Sequence, residues 1–234
     1  MRPILLVGLA ALLAAAPAAA ELFLIQQGQD SSPYAFLPEL PRGFYNSAYA
    51  YTNTLGGEDH SFEYYIEFDL PPELLVPGTV VDEAYAWIYY GFDYTIFGDT
   101  TDEVGEVLCH EVLEPWSQET LTWNDRPAIG TWFDRVPDIT EVGMQICDVS
   151  DVVQGWIDDP DTNHGIAITS EQPRVIGFYT WDDGVVGPNF KPSLVVETLP
   201  EPGTASGLAA GIAMLAALGR RARRRIHPSC RSTP

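Results

Sequence analysis

Tyr85, Trp87 and Tyr89 carry the spacing that most directly suggests binding chemistry. If Ala84, Ala86 and Ile88 face a core, strand alternation turns the three rings to the opposite face, about 7 Å apart. Rings in such a row can stack on the apolar faces of sugar units, so the three are candidate carbohydrate-binding residues. The competing expectation is that segment 44–51, rich in tyrosine, covers them. Carboxylates gather in three places: Asp99 with Asp102 and Glu103, Asp158 with Asp159 and Asp161, and Asp182 with Asp183. Calcium takes six to eight hard oxygens, and Asn163 adds another beside the second group. Asp158, Asp159, Asp161 and Asn163 are therefore the candidate calcium ligands, and calcium is the one cofactor suggested. The alternative is a set of solvated turns, since none of these clusters follows an EF-hand loop. Trp116, Trp123 and Trp156 are either further sugar platforms or plugs of a core. Signals for catalysis are poor. His60, His110, His164 and His227 form no metal or nucleophile motif, His110-Glu111 lacks the second histidine of a zinc protease, and no nucleophile elbow occurs.

The elements that must hold these residues read as strands. Phe62, Tyr64, Ile66, Phe68 and Leu70 alternate with Glu63, Tyr65, Glu67 and Asp69, the period of a half-buried strand. Pro71-Pro72 ends it and Pro77-Gly78 marks the next turn. Alternation resumes through Ala84, Ala86, Ile88 and Tyr90. Further strands are expected over 106–113, 144–149, 165–169, 175–181 and 193–198, with one short helical turn over 151–157. Many short strands between Gly, Pro and Asp turns predict an all-β sandwich or barrel.

The two ends read differently. Met1-Arg2, an uncharged apolar run over 4–16 and Ala18-Ala19-Ala20 have the order of a secretory signal helix cleaved after residue 20. Pro200-Glu201-Pro202 precedes an Ala/Gly/Leu-rich run over 204–219, then Arg220, Arg221, Arg223, Arg224 and Arg225. That run is marginal for a full membrane span, and the arginines would hold its end on the cytoplasmic side. The expected organisation is a signal peptide at 1–20, one domain at 21–198 and a sorting segment at 199–234. The 33 acidic residues lie between Glu21 and Glu201, against Arg42, Arg126, Arg135, Arg174 and Lys191, an excess of 28 negative charges. Such a field disfavours nucleic acid and anionic lipid as partners. Cys109 and Cys147 remain once Cys230 is lost with the tail. In an oxidising compartment they form a disulfide or stay as two buried thiols.

Two resemblances follow from these stretches. The triad, short hydrophobic helix and basic tail over 200–225 resemble a PEP-CTERM sorting signal. That implies recognition by an exosortase-type processing enzyme, transient anchoring in the inner membrane, and release to the cell surface or extracellular matrix. A permanent single-pass anchor is the alternative. Within the domain, Tyr65-Ile66-Glu67-Phe68-Asp69-Leu70, Trp116 with Trp123-Asn124, Asp148-Val149-Ser150 with Trp156, Asn163-His164-Gly165-Ile166 and Lys191-Pro192-Ser193-Leu194 occur in the order of the DNRLRE-domain family. That family is grouped with carbohydrate-binding modules. The resemblance covers about 30–198 and implies a jelly-roll-like antiparallel β-sandwich that binds polysaccharide or an exopolysaccharide matrix without catalysis. Ser150 stands where the family usually has Thr, and 90–107 is long and acidic. A purely structural or adhesive surface protein, and more remotely a polysaccharide-degrading enzyme, are the competing readings.

Overall fold

The computed structural model describes residues 20–42, 47–52, 54–55, 57–94, 105–139, 142–171, 175–180 and 190–200. Two compact units divide the chain: Leu22–Thr198, and Met1–Glu21 with Leu199–Pro234. The expected signal helix and sorting segment lie outside the described residues, apart from residues 20, 199 and 200. So do the carboxylate clusters at Asp99–Glu103 and Asp182-Asp183. Among the described residues no helix is long and apolar enough to cross a membrane.

The unit Leu22–Thr198 is predominantly antiparallel β. Its strands are β1 (Glu21–Ser31), β2 (Ser47–Ala50), β3 (Thr54–Leu55), β4 (Glu58–Asp59), β5 (Tyr64–Phe68), β6 (Val81–Tyr94), β7 (Gly105–Val112), β8 (Ile129–Ile139), β9 (Gly143–Asp148), β10 (Ile166–Thr169), β11 (Val175–Tyr179) and β12 (Ser193–Thr198). One described helix, α1 (Ser150–Asp158), precedes β10, and β3 and β4 form a small separate hairpin. The remaining strands follow the order β2-β11-β6-β12-β1-β5-β10-β7-β8, with β9 also on β6. Tyr90 is paired to Gly143 of β9 and to Phe178 of β11, so β9 and β11 take opposite edges of β6. Trp87 likewise lies between Ile146 of β9 and Ser193 of β12. Thus β11 and β12 share one edge of the long strand and β9 has the other.

The first layer comprises β2, β11, β6, β12 and β9, and the second β1, β5, β10, β7 and β8. One core joins them. Ala84, Ala86, Ile88, Tyr90, Ile176, Phe178, Leu194 and Val196 from the first meet Ile25, Tyr64, Ile66, Phe68, Val107, Ile166 and Ile168 from the second, all buried. Such large aromatic and branched side chains contribute about 1.5–3 kcal/mol each when fully buried. Cys109 of β7 and Cys147 of β9 are joined by a disulfide, Cα–Cα 6.6 Å, which fastens one layer to the other.

Helix α1 extends the single turn expected at 151–157 to nine residues. Val153, Trp156 and Ile157 fall on one face and are buried, a spacing of three and four that is too brief to register as helical periodicity. Ser150 fixes its start: Oγ donates to Asp148 Oδ1 at 2.7 Å and accepts from Ala84 N at 2.9 Å. A hydroxyl is what this position uses, which Ser supplies as Thr would. Gln154 then ties the helix to β6, accepting from Val81 N at 2.9 Å.

Candidate ligand-binding face

The core-facing residues of β6 fix where its aromatics go. Ala84, Ala86, Ile88 and Tyr90 are buried, and Tyr85, Trp87 and Tyr89 are half-buried on the outer face of the first layer. Segment 44–51 was the expected cover. Its described part does otherwise: β2 runs in the plane of the sheet as an edge strand beyond β11. The outer face is broader than the row. Ile146 stands opposite Trp87 and Met144 opposite Tyr89, 48% and 37% exposed, and Val195 stands opposite Tyr85. At the far end Tyr179 lies across Gly91, where a Cβ would stand 2.5 Å from the ring. Tyr179 stacks on Tyr89 with centroids 5.7 Å apart, and Phe190 meets Tyr89 edge-on at 4.6 Å. Tyr89 is thus braced on two sides, leaving Tyr85 and Trp87 as the more open rings.

Carboxylates border the Tyr85 end. Glu83 accepts a hydrogen bond from the Tyr85 hydroxyl and, with Asp148 adding its charge, raises that phenol above its ordinary range. Asp148 is the cross-strand partner of Tyr85, and Glu197 that of Glu83.

Trp156, Trp116 and Trp123 are used internally. Trp156 is fully buried. Trp116 packs on Tyr65 and donates from Nε1 to His164 O at 2.9 Å. Trp123 carries the Arg126 guanidinium 3.4 Å above its ring, and Arg126 also pairs with Glu63 at 3.1 Å. These residues belong to a cover over the second layer, where Tyr65, Val112, Leu121 and Ala167 form a small core of their own. Burial and the neighbouring Glu63 carboxylate push the Tyr65 phenol up.

The acidic turn after α1 holds the candidate calcium ligands. Asp158 Oδ1 accepts from Gln154 Nε2 at 2.9 Å, Asp159 and Asp161 are exposed, and Asn163 Nδ2 donates to Phe68 O at 2.9 Å. Among the described residues no group of three or more His, Cys, Asp or Glu is arranged to hold a metal ion. Two of the histidines are held by their neighbours: His60 Nδ1 is 2.6 Å from the Tyr34 hydroxyl, and buried His110 lies between Gly130 O and Thr169 Oγ1.

A polar cleft of about 290 Å³ lies elsewhere, lined by Gly28, Gln29, Glu67, Asp69, Ser117, Gln118 and Glu119. A bulge at Gly28 in the β1–β5 pairing opens it, and Asp69 fills the space a side chain at Gly28 would need. Gln29 Nε2 donates to Glu67 and Gln29 Oε1 accepts from Gln118 N. Burial raises the Glu67 carboxyl above its ordinary range, opposed by the Gln29 hydrogen bond. Sequence reasoning missed this cleft, because the bulge that makes it leaves no mark beyond one glycine. It also missed Met144 and Ile146, although their alternation with Gly143, Gln145 and Cys147 was a readable signal.

No protein-family model matches this chain, and no curated protein matches it.

Proposed function

We propose that this chain is an exported, non-catalytic module of the cell surface or extracellular matrix that binds polysaccharide through the outer face of β6. The observation carrying this reading is the half-exposed row Tyr85, Trp87 and Tyr89, flanked by exposed Ile146 and Met144. An apolar row on an otherwise acidic protein is costly unless it meets a partner, and flat rings on a flat sheet suit a sugar chain. The proposal includes a jelly-roll-like topology of the DNRLRE kind, export by the N-terminal signal, and exosortase processing at the Pro200-Glu201-Pro202 segment. The inner membrane then holds the protein only before processing. Calcium is proposed as no more than an accessory to binding.

The test is a glycan array probed with the purified protein, with and without calcium, followed by Trp87→Ala. Binding should weaken by roughly 1 kcal/mol or more, about fivefold, with the melting temperature unchanged. Unchanged binding with a large fall in melting temperature would make Trp87 a packing residue and favour a purely structural or adhesive role.

A further inference from the structure

We infer that this face selects an amine-bearing polysaccharide, a polymer of hexosamine units with free ammonium groups; the inference rests on the polysaccharide reading above. Its basis is the charge placed around the aromatic row. Glu83 precedes Tyr85 by two residues on β6 and shares its face. Asp148 stands opposite Tyr85 on β9, and Glu197 opposite Glu83 on β12. All three carboxylates are exposed. Cross-strand partners stand about 5 Å apart at Cβ, so Asp148 lies directly beside Tyr85, while Glu83 and Glu197 form a pair about 7 Å further along the strands.

This arrangement costs energy in the free protein. Glu83 and Glu197 are like charges directly opposite one another, a destabilising pair. Among the described residues the ion pairs are Arg126–Glu63 and Arg135–Glu106, and neither touches these three acids. An ammonium group seated beside Tyr85 would donate charge-assisted hydrogen bonds to the carboxylates and relieve their repulsion. The next sugar along the chain would lie on Trp87, whose ring attracts cations as well as C–H faces. The wider field acts in the same direction. With 33 acidic residues against five basic between Glu21 and Glu201, the domain attracts a cationic chain and repels uronate or sulfated ones. A neutral chain would use the rings but bring no counter-charge to the carboxylates, whose hydrogen bonds from Tyr85 to Glu83 and from Ser150 to Asp148 leave their charge in place.

The test uses the purified full chain and three soluble polymers of matched length: a glucosamine polymer rich in free amines, its fully N-acetylated counterpart, and a polyuronate. At low salt the amine polymer should bind on the order of tenfold more tightly than the acetylated one, with the gap closing in 0.5 M salt, roughly where screening is complete. Glu83→Gln with Glu197→Gln should close that gap at low salt, leaving binding of the acetylated polymer unchanged and the melting temperature no lower than the parent's, since the pair repels in the free protein. Trp87→Ala should weaken both. A control pair outside this face, Glu58→Gln with Glu119→Gln, should leave the gap intact. If both double variants reduce amine-polymer binding equally, the attraction is diffuse and the inference falls. Equal, Trp87-dependent binding of the amine and acetylated polymers would overturn amine selection and leave the polysaccharide reading standing. Binding of none of the three polymers would overturn both.

Discussion

Removing the bridge between Cys109 and Cys147 should cost this protein much of its stability. The two cysteines are 38 residues apart, and both are buried. Closing a loop of that length in the unfolded chain removes about 13 cal/mol/K of entropy, or ~4 kcal/mol at 25 °C. A typical domain is stable by only 5–15 kcal/mol or so, so this is a large share. With an unfolding entropy of about 2 cal/mol/K per residue, a domain of this size would lose roughly 10 °C in Tm. The assay is urea unfolding of Cys109→Ala, Cys147→Ala and the double variant, each compared with the parent. Because either single change already breaks the bridge, each should cost nearly as much as the double change, a strong non-additivity. The m-value should rise in all three, since the unfolded chain is no longer held compact. Costs that simply add, each near 1 kcal/mol with m unchanged, would show two independently packed thiols and refute the reasoning.

Gly165→Ala should be severely destabilising. Its φ is +82° and a Cβ would stand 2.0 Å from Ile66 O, so backbone displacement must add to the ~1–2 kcal/mol conformational cost; a Tm left within a degree of the parent would contradict this. Trp156→Ala should cost about 3–5 kcal/mol in urea unfolding, because the ring is fully buried in the main core. Glu67→Gln should raise Tm at neutral pH. The folded carboxyl holds its proton more tightly than the unfolded one, whose ordinary value is 4.5, so ionisation costs stability as pH rises through the raised value. The advantage of Gln should vanish below pH 4.5, and a benefit independent of pH would refute the assignment. A chain trimmed to 21–198 should give dispersed amide resonances and one cooperative melt, since Leu22–Thr198 is a compact unit with its own core.

Residue pattern made the central strands legible. Along β6 the run Ala84, Ala86, Ile88 and Tyr90 is buried and its alternates face outward, because one side of that strand meets a core and period two records it. Along β5 the inner set Tyr64, Ile66 and Phe68 is equally plain, yet Tyr65 on the supposedly polar side is 1% exposed. Nothing local reveals that residues from a distant stretch, Trp116 and Leu121 among them, close over it. The strands β1 and β8 escaped detection for a related reason. Gly28 breaks the alternation of β1 with a bulge, and β8 is an end strand whose exposed Thr131, Trp132, Arg135, Pro137 and Asp138 dilute its apolar positions. Pairing, not periodicity, defines both.

The candidate site was legible to the same extent and for the same reason. Tyr85, Trp87 and Tyr89 follow from the alternation of one strand, but the residues that give the face its chemical character come from other strands. Asp148, Ile146 and Met144 arrive through β9, Glu197 and Val195 through β12, and register alone sets each beside its ring. Similar aromatics in the second layer met the opposite fate. Trp116 was drawn into a cover by its bond to His164 O, and Trp123 by Arg126, whereas Trp87 has exposed Ile146 as its neighbour and no comparable clamp among the described contacts. The difference between platform and core therefore lies in what packs above each ring. That is decided by chain connections tens of residues away, which is why alternation could point Trp87 outward but left Trp116 and Trp123 open between platform and plug.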